Sequence, residues 1–146
     1  MEAGTHEIRQ SNSTSLGGGL TKLSNFLYQW VSEFANIVMA YLIEYFHPKV
    51  LKQIESWQPD MLASYTRLLD VLMVHGPALR LPYSRAMGEG LFEIRPSGKS
   101  SIGRCLYCFQ KGQRIIVLHA FIKKTPKTPD ADLSIARKRM KEIQYA

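Results

Sequence analysis

Apolar positions along the chain follow two periods, and the change from one to the other outlines the fold. From about Thr21 to Val38, Phe26, Leu27, Trp30, Phe34, Ile37 and Val38 recur at spacings of three and four, which predicts an amphipathic helix. Gln29, Glu33 and Asn36 interrupt that stretch, and a carboxylate at the centre of a bilayer is costly, so a membrane span is excluded. Its apolar stripe calls for a cover, from this chain or from a partner. The segment before it, with Ser11–Ser15 and Gly17–Gly19, holds too little apolar surface to offset chain entropy, and residues 1–20 are expected to be a disordered tail.

From Met39 the run Ala40–Phe46 is rich in aromatic and β-branched residues and predicts a strand. Helical spacing returns at Val50, Leu51, Ile54 and Trp57 behind Pro48, which suits a first helical position. Pro59 opens a second helix with Met61, Leu62, Tyr65, Leu68, Leu69 and Leu72 on its buried stripe, and His75-Gly76-Pro77 ends it. Strict alternation then begins. Phe92 and Ile94 take one face of a strand, and Glu93 and Arg95 the other. Ile102–Phe109 and Arg114–Ile122 are further strands joined by a turn at Lys111-Gly112, the last one apolar on both faces and so placed inside the sheet. Thr128-Pro129-Asp130 opens a closing helix with Thr128 as its cap, Asp130 and Asp132 in its first turn and Arg137–Lys141 toward its end. The expected fold class is α+β: a small antiparallel sheet with a helical hairpin before it and a helix after it, plus the extra N-terminal helix. Helices packed on one face would leave the other free for binding.

The 146 residues amount to about one domain, and 45% hydrophobic with 21% charged is an ordinary globular balance. Charge changes the picture more. Residues 39–146 carry 17 of the 19 Lys and Arg against 9 of the 12 Asp and Glu. Such a surplus favours an anionic partner. Met1–Gln10 is polar without an apolar core, so no secretory signal is expected, and two cysteines suit a reducing, cytoplasmic setting.

Cys105 and Cys108 spell C-x-x-C, yet residues three apart on a strand face opposite ways and cannot share an ion. No metal site and no cofactor motif follow. His119 lies between Leu118 and Ala120 and reads as a core histidine. The cations say more. Arg95, Arg104, Lys123, Lys124 and Lys127 would converge at one end of the sheet if the three strands are neighbours, with Arg95 and Arg104 facing solvent. Arginine forks and mobile lysines together suit a phosphodiester, and a lysine among other cations has a lowered pKa and can transfer protons near neutrality.

Three strings, Gly90–Arg95, Gly103–Tyr107 and Leu118–Pro129, with Ala136–Met140 in the closing helix, resemble the HigB-like branch of the RelE/ParE toxin superfamily, which includes phage-derived toxin-like proteins. The likeness runs from about Met39 to Ile143. It implies the toxin of a type II toxin–antitoxin module, an endoribonuclease that cuts mRNA in the ribosomal A site without metal. It further implies a cognate helix-turn-helix antitoxin, operator DNA reached only through that antitoxin, and no membrane. Carried onto this chain, Arg95 and Arg104 fall where sheet-borne cations contact the scissile phosphate, and Lys123 and Lys124 near groups for acid–base or RNA contacts. Glu93 stands where some RelE members have lysine, as a catalytic carboxylate or as an orienter of Arg95. ParE members share the fold and act on DNA gyrase, so a non-catalytic gyrase-directed toxin or phage-derived regulatory module is the alternative. Met39 begins as such toxins do, so residues 21–38 are expected to be an accessory helix or an over-annotated extension of a 39–146 toxin domain.

Overall fold

The computed structural model describes residues 22–34 and 40–144. The chain divides into two compact units, Met1–Met39 and Ala40–Ala146. In the first, residues 22–34 form helix α1, with Trp30 and Phe34 stacked at 5.7 Å and every residue exposed, including Phe26, Leu27 and Val31. The expected tail over residues 1–20, the helix end at Ile37 and Val38, and the start at Met39 lie outside the described residues.

The second unit runs β1 (Leu42–Tyr45), α2 (Pro48–Glu55), α3 (Pro59–His75), a short 3₁₀ turn (Gly76–Ala78), β2 (Ser84–Gly88), β3 (Leu91–Ile94), β4 (Ile102–Gln110), β5 (Arg114–Lys123) and α4 (Asp130–Gln144). The five strands form one sheet in the order β1-β5-β4-β3-β2. Local chemistry accounts for the helix ends. His47 Nδ1 accepts from Lys49 N at 3.1 Å ahead of Pro48, and Gly76, at φ 52°, closes α3. A side chain at Gly76 would run into the Tyr41 ring.

The α+β fold and a mostly antiparallel sheet are as expected, and three details differ. The sheet is mixed, because β1 runs parallel to β5, with Leu42 opposite Arg114 and Tyr45 opposite Val117. The strand is also shorter than the Ala40–Phe46 run, since the chain turns into α2 after Phe46. More important, neither face of the sheet is bare. Val50, Ile54, Met61, Tyr65 and Leu72 from α2 and α3, with Trp57 from the turn between them, pack on Ile94, Cys105, Tyr107 and Val117. On the other side, Ala136 and Met140 of α4 pack on Leu91, Leu106, Cys108 and Leu118. The apolar alternation of β4 and β5 requires this: both faces present apolar side chains, and each needs a cover.

A bulge shapes the α4 side. The register of β4 and β5 shifts between Leu106, opposite His119, and Tyr107, opposite Val117, leaving Leu118 without its own opposite residue. Leu118 and His119 therefore both serve the α4 face, and Phe121 and Lys123 follow on it. Among the described residues no helix is long and apolar enough to cross a membrane.

Candidate functional site

The α4 side of the sheet carries its charged groups where the helix begins. The β2–β3 turn, with positive φ at Gly88, Glu89 and Gly90, sets Arg85 opposite Glu93. Glu93 is opposite Leu106, Arg104 opposite Phe121, and Lys123 opposite Ile102. Period-two alternation then sends Glu93, Arg95, Arg104, Phe121 and Lys123 to one face.

Glu93 is the hub and is only 1% exposed. Its Oε1 accepts from Arg95 Nε at 3.1 Å and lies 3.4 Å from Arg104 Nε, and its Oε2 accepts from Thr128 Oγ1 at 2.8 Å. Arg104 Nη1 donates to the Gly103 carbonyl at 2.7 Å, while its buried Nε has the ion pair but no hydrogen bond. Burial, with Arg95 adding to it, depresses the Arg104 pKa against the pull of Glu93. Arginine remains cationic under any such shift. Lys123 is also held below the usual lysine range, by desolvation and then by the charge of Arg104.

Above this hub, Arg85, Arg95, Lys123, Lys127, Thr128 and Leu133 line an open cleft of about 240 Å³. One carboxylate thus stands against Arg85, Arg95, Arg104, Lys123 and Lys127, and that carboxylate is buried. The surplus faces the cleft.

The structure gathers Glu93, Arg95, Arg104, Lys123 and Lys127 around this point; Lys124 is exposed and does not line the cleft. The expectation that Arg104 faces solvent is corrected: it is 5% exposed, because α4 and the loop leading to it close over that end of the sheet. Arg95 keeps about a third of its side chain in solvent. Two participants were not legible. Arg85 lies on a strand without a clear apolar alternation. Thr128 read as a helix cap, but its hydroxyl donates to Glu93 instead.

The remaining candidates separate cleanly. Cys105 and Cys108 belong to the two opposite cores, and burial raises both thiol pKa values, so both stay protonated. Among the described residues no group of His, Cys, Asp and Glu could hold a metal ion. His119 is not a sealed core residue. Its Nε2 lies 2.7 Å from Asp132 Oδ1 on α4, and its ring stacks on Phe121 with centroids 5.6 Å apart.

Fold and site together define a small basic α+β protein whose sheet carries a cluster of cations around a buried carboxylate beneath its last helix. Residues 52–141 match the family described as phage-derived protein Gp49-like (DUF891), well over half of the chain. The protein belongs to that family, a HigB-like toxin branch. No curated protein matches the chain. Among solved structures, the crystal structure of the archaeal RelE–RelB complex from Pyrococcus horikoshii OT3 is similar at 20% identity and a TM-score of 0.43, covering 62% of this chain and 100% of that one.

Proposed function

We propose that this protein is the toxin of a type II toxin–antitoxin module, acting in the cytoplasm as a ribosome-dependent endoribonuclease on A-site mRNA. The observation that carries the reading is the cleft itself: Arg85, Arg95, Lys123 and Lys127 converge on open space about the size of a phosphodiester and its sugars. Membership of a HigB-like family supports it. In the reaction, the 2′-oxygen attacks the adjacent phosphorus and gives up its proton. The bond to the departing 5′-oxygen breaks, and that oxygen takes a proton. A 2′,3′-cyclic phosphate and a 5′-hydroxyl result. Arg95 and Lys127 hold the non-bridging oxygens as charge builds on them. Lys123, with its lowered pKa, serves proton transfer. Glu93 has both oxygens engaged and acts as a positioning residue for Arg95 and Arg104 rather than as the base.

The partners in this reading are the ribosome with its mRNA and a cognate helix-turn-helix antitoxin, with operator DNA reached through the antitoxin. Induction of the full chain in cells, followed by mapping of transcript 5′ ends, tests it. Cuts within codons that vanish with Arg95→Ala are expected. Intact mRNA alongside altered DNA supercoiling would replace it with the gyrase-directed reading.

A further inference from the structure

A second cleft, of about 340 Å³, is bordered by Lys49 and Gln53 of α2, His119 and Phe121 of β5, and Arg139 of α4. It forms because β1 pairs with β5 only as far as Val117, after which the chain leaves to build α2. Among the described residues, no strand lies beside the edge of β5 beyond that point. Arg139 Nη1 caps the edge by donating to the Leu118 carbonyl at 2.6 Å.

We infer that this cleft takes the base of a nucleotide neighbouring the phosphate held in the cation cluster, with Phe121 and His119 as its stacking surface. The inference rests on the RNA-binding reading and adds a base site to it. Three observations carry it. First, Phe121 sits directly opposite Arg104 in the β4–β5 register, so the aromatic surface and the cation cluster are adjacent on one sheet face. Second, the bulge at Leu118 brings His119 onto that face, where it stacks on Phe121 at an interplanar angle of 27°, while Asp132 fixes the imidazole. The two rings are ordered before any ligand arrives, which lowers the cost of binding. Third, the rest of the border suits a nucleotide. Lys49 is exposed and cationic, and the amide of exposed Gln53 can both donate to and accept from a base edge. Stacking on an aromatic ring tolerates any base, and the Gln53 amide supplies a preference.

The test compares two 2′-O-methyl trinucleotides that cannot be cleaved, one of uridines and one with its bases removed, binding to the full chain. The uridine trimer should bind about five- to one-hundred-fold more tightly, the span expected of one base stacked on one aromatic ring. Phe121→Leu keeps the apolar packing against α4 and should abolish the difference. Arg95→Ala should weaken both trimers alike and leave the ratio intact. Gln53→Ala, on the exposed side of α2, should lower the ratio without abolishing it. In the unsubstituted protein, the His119 and Phe121 ring protons should shift with the uridine trimer and not with the abasic one. Equal binding of the two trimers, or a ratio untouched by Phe121→Leu, would overturn the base site and leave the phosphate site standing. No binding of either trimer would overturn the base site, while the cleavage reading is decided separately by the transcript 5′ ends.

Discussion

Thr128 and Glu93, 35 residues apart, are joined by a 2.8 Å hydrogen bond buried beneath the start of α4. The bond ties the loop that carries Lys127, which follows Lys123 at the end of β5, to the carboxylate that holds Arg95 and Arg104, so the cations on sheet and loop share one anchor. Thr128→Val keeps the shape and removes the hydroxyl. It leaves Glu93 Oε2 unpartnered in a buried site and should lower stability by about 1–3 kcal/mol in urea unfolding. A change within a few tenths would show that water replaces the hydroxyl.

The two arginines on Glu93 should separate in behaviour. Arg104→Ala strips a buried carboxylate of a buried partner, a loss of about 3–5 kcal/mol. Arg95 is a third exposed, so Arg95→Ala should cost no more than about 1 kcal/mol while removing activity. Denaturant midpoints measured beside RNA cleavage check this. Equal stability of the two variants would remove the distinction.

Lys123 gives a pH dependence. Burial and the Arg104 charge favour its neutral form, so as pH rises it loses its charge before an ordinary lysine, near 10.4, would do so. Affinity for an uncleavable RNA should therefore fall on the alkaline side with a midpoint below that value. Lys123→Arg should move the fall to higher pH. An alkaline limb identical in the two proteins would assign it to another group.

Much of this site was legible along the chain, and the reasons differ by residue. Alternation alone put Glu93 and Arg95 on one face and Cys105 and Cys108 on opposite ones, because strand geometry fixes those relations locally. What covers a face is not local. The burial of Arg104 depends on where α4 docks, and the pairing of β1 with β5 joins residues 72 positions apart, as in Leu42 and Arg114. His119 read as core because strict alternation hides a bulge, and one unopposed residue at Leu118 re-aims it toward α4.

The packing beneath the sheet sets a larger energy. Trp57 is 4% exposed, with its ring against Tyr65 and beside Gly103. Trp57→Ala should cost about 3–5 kcal/mol in thermal or chemical unfolding. Phe92, partly exposed at the hairpin, should cost less than Trp57 when changed to alanine. The reverse order would place the weight of the core under β3.

Asp60 links the start of α3 to the β3–β4 loop by accepting from Lys99 N at 2.6 Å and Met61 N at 2.9 Å. The Lys99 contact in particular depresses its pKa. Its contribution is present above the ordinary aspartate value of about 3.9 and is lost as pH falls through the lower folded value. Asp60→Asn should flatten the acid limb of the stability profile over that window. An unchanged limb would mean that the loop is held without this carboxylate.

The parallel seam between β1 and β5 also bears on synthesis. The first strand of the sheet waits for Arg114–Val117 before it has a neighbour, 72 positions further along the chain as counted from Leu42 to Arg114. Closing so long a span is slow, and until it happens α2 and α3 have no completed sheet on which to bury their apolar sides. The cationic cleft therefore comes into being only after β5 and the start of α4 have been made, so a shorter nascent chain carries much of the charge of the finished fold but not yet its grip.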